Sequence, residues 1–124
     1  MAPKIAHNAQ AVVEAIEHND HKTVRAILGK TPRLVNGSGN RGERPLLIAT
    51  RLLDIRMMTL LLDEFHADVH VKDKNGYNVL EYAAFGLTDL IAKEKFSDGL
   101  HNRYCKILNM LHEKYGCRQK VGGK

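Results

Sequence analysis

Histidine, cysteine and the acidic side chains are the residues of this chain that could do chemistry, so their spacing comes first. Among seven histidines and two cysteines, His66 and His70 lie four residues apart, and His101 and Cys105 repeat that spacing on one expected helix face. Imidazole and thiolate so placed can share a metal ion, but a closed structural zinc site takes about four such ligands. Each pair stands alone, and no metal site is expected. The sequence has no paired-cysteine motif, no glycine-rich phosphate loop and no nucleophile elbow. Its acids fall at helix starts and on solvated faces, where charge is ordinary. Neither a catalytic residue nor a cofactor is indicated, and the expected activity is binding, with no small-molecule substrate.

The formal charge of +5 is distributed unevenly. Residues 39–72 carry five bases and five acids, whereas from Lys114 onward come Lys114, Arg118, Lys120 and Lys124 with no acid. Four charges without interleaved aromatic rings to stack bases make a weak nucleic-acid tether. The segment 117–124 is read as a flexible basic tail, and the Gly122-Gly123 pair as part of it. No apolar run approaches the ~18 residues of a membrane span, and Met1-Ala2-Pro3-Lys4 lacks the apolar stretch of a secretory leader. Two cysteines near the C-terminus do not make a disulfide framework. The expected setting is intracellular, in cytoplasm or nucleus, away from membranes.

The elements that must position any binding surface are helical. Val12, Val13 and Ile16, then Val24, Ile27 and Leu28, recur at the spacing that lines one helix face. Asp20 stands between the two runs as an N-cap, accepting from the free amides of the next turn. Gly29-Lys30-Thr31-Pro32 and Asn36-Gly37-Ser38-Gly39-Asn40 suit a loop. Pro45 then opens a helix at a position where its missing amide costs nothing, and Asp54 caps the helix after it. The order returns with a loop at 72–76, a helix from about Val79 and a last helix carrying Leu100, Tyr104, Ile107 and Leu111. Gly42 on Gly76, Leu46 on Leu80 and Ala49 on Ala83 superpose with a period of 34 residues.

Two segments give this repeat a family likeness. Leu60-Leu61-Leu62-Asp63-Glu64-Phe65-His66-Ala67-Asp68-Val69-His70, with one inserted residue, and Asp73-Lys74-Asn75-Gly76-Tyr77-Asn78-Val79-Leu80-Glu81-Tyr82-Ala83-Ala84 resemble the closing and opening patterns of the ankyrin-repeat family. Gly42-Glu43-Arg44-Pro45-Leu46-Leu47-Ile48-Ala49 resembles a second opening, and Thr31-Pro32-Arg33-Leu34-Val35-Asn36 the end of a divergent first unit. The resemblance implies an all-α fold: an ankyrin-like solenoid of stacked helical hairpins joined by β-turn-type loops. After a lead-in over 1–10, the domain is expected over 11–116, as repeats at about 11–38, 39–72 and 73–116.

Departures from the pattern carry expectations of their own. Leu47 and Glu81 replace the histidine that normally ties neighbouring loops, so inter-loop hydrogen bonding is expected to weaken. Asn19 and Leu53 occupy the glycine position between paired helices, and a leucine there predicts a distorted second turn. His66 and His70 fall on the glycine and asparagine of a loop, and Cys105 on apolar Ile55, as a buried thiol. Between Ala84 and Lys106 the chain holds sixteen more residues than between Thr50 and Arg56. Periodicity through Gly86 predicts an inner helix prolonged to about Lys95 and stopped at Ser97-Asp98-Gly99, with an insertion at about 87–99 and a lengthened C-terminal hairpin.

The resemblance also implies where a partner binds, at loop tips and on the concave face of the inner helices. Carried over residue by residue, the first loop offers Asn40, Arg41 and Glu43, and the second Lys74, Asn75 and Tyr77. The inner helices add Glu17, His18, Arg51, Leu52 and Phe85, with Leu52 exposed and Phe85 either exposed or packed under the lengthened helix. Function is thus expected to be protein–protein interaction, as adaptor or decoy. The alternatives are nucleic-acid or acidic-surface binding through the tail, and, more remotely, an active site built by the insertion.

Overall fold

A computed structural model describes residues 8–94 and 97–116. Every regular element among them is helical. Helix α1 spans Ala9–Glu17 and α2 His21–Lys30; α3 spans Pro45–Arg51 and α4 Ile55–Thr59; α5 spans Val79–Glu94 and α6 Asp98–Asn109. They pair as α1–α2, α3–α4 and α5–α6, and the first helices form a row in which α3 packs on both α1 and α5. Helix α1 begins inside the segment read as a lead-in, because the Asn8 side chain accepts the Ala11 amide and Ala9 is buried.

Side chains at the expected spacing make the core. Val12, Ile16, Val24, Ile27, Leu28, Leu47, Ala49 and Ala83 are fully buried. The predicted caps form: Asp20 accepts the Thr23 amide at 3.0 Å and Asp54 the Met57 amide at 3.1 Å. Ser97 accepts the Leu100 amide at 3.1 Å and starts α6 at the predicted stop. The Asn78 and Glu81 side chains each accept the other's amide at 3.0 Å, a reciprocal cap that opens α5. The inner helix is prolonged as expected, and Lys95, its expected end, lies outside the described residues.

The second inter-helix turn is not distorted. Leu53 takes φ 52° and Asn19 φ 56°. Asn19 and Asp20 donate to Ile16 and Ala15, and Leu53 and Asp54 donate to Thr50 and Ala49, the same helix-ending motif twice. Leu53 tolerates the left-handed backbone because its side chain is buried in the core, which offsets a steric cost of about 1–2 kcal/mol.

The inserted residue in the Leu60–His70 segment has a physical form. After α4 the chain makes one π turn, Leu60–Glu64, in which the Phe65 amide reaches back to Leu60. A π turn is how a helix absorbs one extra residue. A second π turn, Met110–Lys114, ends the outer helix of the third hairpin. Both return through a left-handed residue, His66 at φ 56° and Gly116 at φ 69°.

Candidate partner-binding surface

Two finger-like turns precede α3 and α5, and they share one backbone. In the first, the Gly39 amide donates to the Glu43 carbonyl at 2.7 Å and Gly42 to the Gly39 carbonyl at 3.0 Å. In the second, Asp73 donates to Tyr77 and Gly76 to Asp73, each at 3.0 Å. Gly42 at φ 81° and Gly76 at φ 87° supply the positive φ that such a turn requires. The side chains that hold the fingers differ. Glu43 Oε1 accepts the Arg41 amide at 2.8 Å, and Gln10 on α1 accepts the Asn40 amide at 2.7 Å. In the second finger one residue does most of the holding: Asp73 accepts the amides of Asn75 and Tyr77 and the Tyr82 hydroxyl, the last at 2.7 Å.

That cluster sets its own protonation. Burial would raise the Asp73 carboxyl, but the Tyr82 hydroxyl and the amides of Tyr77, Asn75 and Gly76 outweigh it and hold Asp73 below the usual carboxylate value. Burial, with the Asp73 bond and charge added, pushes the Tyr82 phenol up to about 12.

The candidate residues separate into two groups. Tyr77 is 41% exposed, its ring 5.0 Å from that of Phe85 in an edge-to-face contact, and the Lys74 stem runs along Gly42 of the first finger. Asn40, Arg41, Lys74 and Asn75 are exposed beside them, and neither Arg41 nor Lys74 forms an ion pair among the described residues. Phe85, for which exposure and packing were both open, is half-buried between Tyr77 and Tyr82. The other group gathers at the far ends of α1 and α3, where Glu17 and Leu52 line one cleft and Leu52 is 41% exposed. His18 lies beside them in sequence, exposed, with Nδ1 2.7 Å from the Glu14 carbonyl. Arg51 is not free, since its Nε donates to Asp89 Oδ2 of α5 at 2.8 Å.

Several tethers escaped the sequence reading. Arg44 donates from its guanidinium to the carbonyls of Asn36, at 2.7 Å, and Lys72, at 3.3 Å. Asn36 Oδ1 accepts the Asp68 amide at 2.8 Å. Loops are thus tied without a histidine at position 47 or 81, by the Arg44 guanidinium and the Asn36 side chain. Lys114, counted with the basic tail, pairs with Asp63 at 2.7 Å, and the Tyr115 hydroxyl donates to the same carboxylate. Asp63 is lowered by those two bonds, Lys114's first. The rest of the tail, residues 117–124, lies outside the described residues. Of the histidine and cysteine pairs, His66 and His70 are exposed in a loop, and Cys105 Sγ sits 3.5 Å from His101 Nε2. Cys105 is half-buried, as Ile55 is, rather than fully buried. Among the described residues no group of three or more metal-ligating side chains comes together, and no helix is long and apolar enough to cross a membrane.

A chain in the crystal structure of the yeast ribosomal protein Rps3 in complex with its chaperone Yar1 superposes on this protein with a TM-score of 0.65. The likeness is one of fold. Identity is 21%, over 90% of this chain and 69% of that one. No family model matches the chain, and no curated protein matches it in sequence.

Proposed function

We propose that this chain is a protein-interaction module, an ankyrin-like solenoid serving as adaptor or decoy, whose fingers and row of first helices receive another protein. The carrying observation is the finger face: an exposed Tyr77 held edge-on by Phe85, flanked by the uncommitted cations Arg41 and Lys74. Tyrosine and arginine concentrate at the energetic centres of protein interfaces. The acids nearby, Glu43, Asp73 and Glu81, accept internal amides, which leaves the cations to a partner. The paired hairpins, repeating fingers and shared turn motif support the solenoid reading, and the superposing chain comes from a complex of one protein with its chaperone. We assign the chain no catalytic role.

Affinity capture from the native cell type, with the chain intact and with residues 117–124 deleted, tests the reading at two salt concentrations. A finger-face interface keeps its partner without the tail and weakens moderately with salt, as its two cations are screened around an aromatic centre, whereas phosphate contacts through the tail weaken steeply. Loss of capture on tail deletion would transfer the function to the tail.

A further inference from the structure

A cleft of about 530 Å³ opens where the turn after α1, the turn after α3 and the middle of α6 meet. Its volume lies within the range of about 300–1,000 Å³ typical of ligand-binding clefts. Ile16 and Leu53, both essentially fully buried, contribute to its floor, half-buried Ile55 lines it, and exposed Leu52 stands at its edge. Three of its lining residues carry polar groups without partners among the described residues. His21 Nε2 is buried and makes no hydrogen bond, although nearly all buried polar atoms in folded proteins are satisfied. Arg56 and Arg103 are exposed and unpaired among the described residues, whereas Arg25, Arg51 and Lys114 all have carboxylates. Of the two acids on the lining, Asp54 is committed to the Met57 amide, and Glu17 is solvent-exposed. Arg103 comes from the middle of α6, in the lengthened third hairpin.

We propose that this cleft is a second docking site, which takes an acidic peptide segment of a partner protein, an aliphatic residue beside a glutamate or aspartate. The aliphatic side chain lies on Leu52 and Ile55. The carboxylate accepts from the guanidinium groups of Arg56 and Arg103, which are planar forks suited to it. A turn of the His21 ring brings its shielded Nε2 to the cleft, where it donates to the same carboxylate or to the adjacent peptide carbonyl. An inorganic anion is the poorer fit, because it would leave the apolar floor uncovered. The site rests on the reading of the chain as a protein-binding module but not on the finger face.

The full chain is titrated with a capped, fluorophore-tagged heptapeptide of alternating leucine and glutamate, read by anisotropy and by NMR of the His21 imidazole nitrogens. The same peptide with glutamine for glutamate, and inorganic phosphate, serve as controls. Expected results are saturable binding that moves the His21 Nε2 resonance, and binding at least tenfold weaker for Arg56→Ala/Arg103→Ala, for Leu52→Ser and for the glutamine peptide. Both arginines are exposed and unpaired, so the double variant keeps its fold, checked by circular dichroism. The finger variant Arg41→Glu/Lys74→Glu/Tyr77→Ala should bind this peptide as wild type does. The proposal is overturned by absence of binding at millimolar peptide, by equal binding to the arginine variant, or by phosphate competing as well as the peptide. Loss of binding in the finger variant would overturn it too, by making the fingers the one docking surface.

Discussion

The two fingers run the same backbone course with different anchors, and the contrast shows which parts of this fold are dictated and which are negotiable. The left-handed glycine is present in both, because no other residue adopts φ near 80° without strain. The side-chain tie is not repeated. In the first finger Glu43 holds one amide and Gln10 reaches over from α1. In the second, Asp73 gathers two amides and a phenol from within the same unit. The second finger is therefore self-supporting and pH-sensitive, while the first depends on its neighbour.

The largest expected effect lies in the contact that sets the two fingers side by side. A Cβ on Gly86 would collide with the Arg51 carbonyl, and Ala49 and Ala83 are fully buried where α3 meets α5. Gly86→Ala, Ala49→Leu or Ala83→Leu should each cost about 1–3 kcal/mol or more, read as a lower thermal midpoint. An unchanged midpoint for all three would mean that the first helices do not pack as described.

Asp73→Ala should destabilise more than Glu43→Ala. The first change removes the acceptor of three bonds, leaving two amides and a phenol to find other partners. The second removes the acceptor of one exposed amide, worth about 0.5–1.5 kcal/mol. Urea titration of the pair tests the asymmetry, and equal losses would erase the distinction between the fingers.

Protonation sharpens it further. Because the folded Asp73 pKa lies below its unfolded value, its contribution is present above the ordinary aspartate value near 3.9 and is lost as pH falls through the lower folded value. Tyr82 has the opposite sign. Its folded pKa of about 12 exceeds the unfolded value of 10, so its contribution is complete below pH 10 and is lost as pH rises through about 12. Alongside Tyr115, which burial and its Asp63 bond also raise, ultraviolet titration should show a phenol ionising near 12 that is absent in Tyr82→Phe. Asp73→Asn should flatten the acid limb of stability against pH and return that phenol toward 10. If neither shift appears, Asp73 and Tyr82 are not bonded in solution.

The smallest expected effect is His66→Gly. His66 is exposed at φ 56°, so glycine relieves a left-handed strain of about 1 kcal/mol and returns part of it as unfolded-state entropy. A gain of about 0.5 kcal/mol or less in urea stability is expected, and a clear loss would show that the imidazole has a structural role.

Much of this architecture was legible in the residues, and the gaps have physical causes. Asp20 and Asp54 could be recognised as caps because capping is a local bond between neighbours in sequence, whereas Ser97 was legible only as a helix stop and turned out to cap the next helix. Gly42 and Gly76 were legible as equivalent positions of the repeat, and His66 as the occupant of a glycine position, and all three take left-handed backbone. What escaped was long-range. Arg44 bridging two loops, Asp63 receiving Lys114 and Asp89 receiving Arg51 depend on residues far apart in the chain. Leu53 misled because its turn is a local strain offset by tertiary burial. The proposed partner surface was legible as a face but not as a unit: Arg51 proved committed and Phe85 half-covered, while His21, Arg56 and Arg103 carried no pattern to notice.

The most direct test of the finger face as the principal docking surface is one binding measurement on Arg41→Glu/Lys74→Glu/Tyr77→Ala, against the partner captured by the wild-type chain. These side chains lie outside the core, and the main structural loss is the Tyr77–Phe85 ring contact, about 1 kcal/mol. Losing an aromatic and a cation from an interface centre costs about 2 kcal/mol or more each. The expected result is an undiminished helical circular-dichroism signal with affinity reduced at least a thousandfold. Wild-type affinity in the triple variant would contradict the finger face outright.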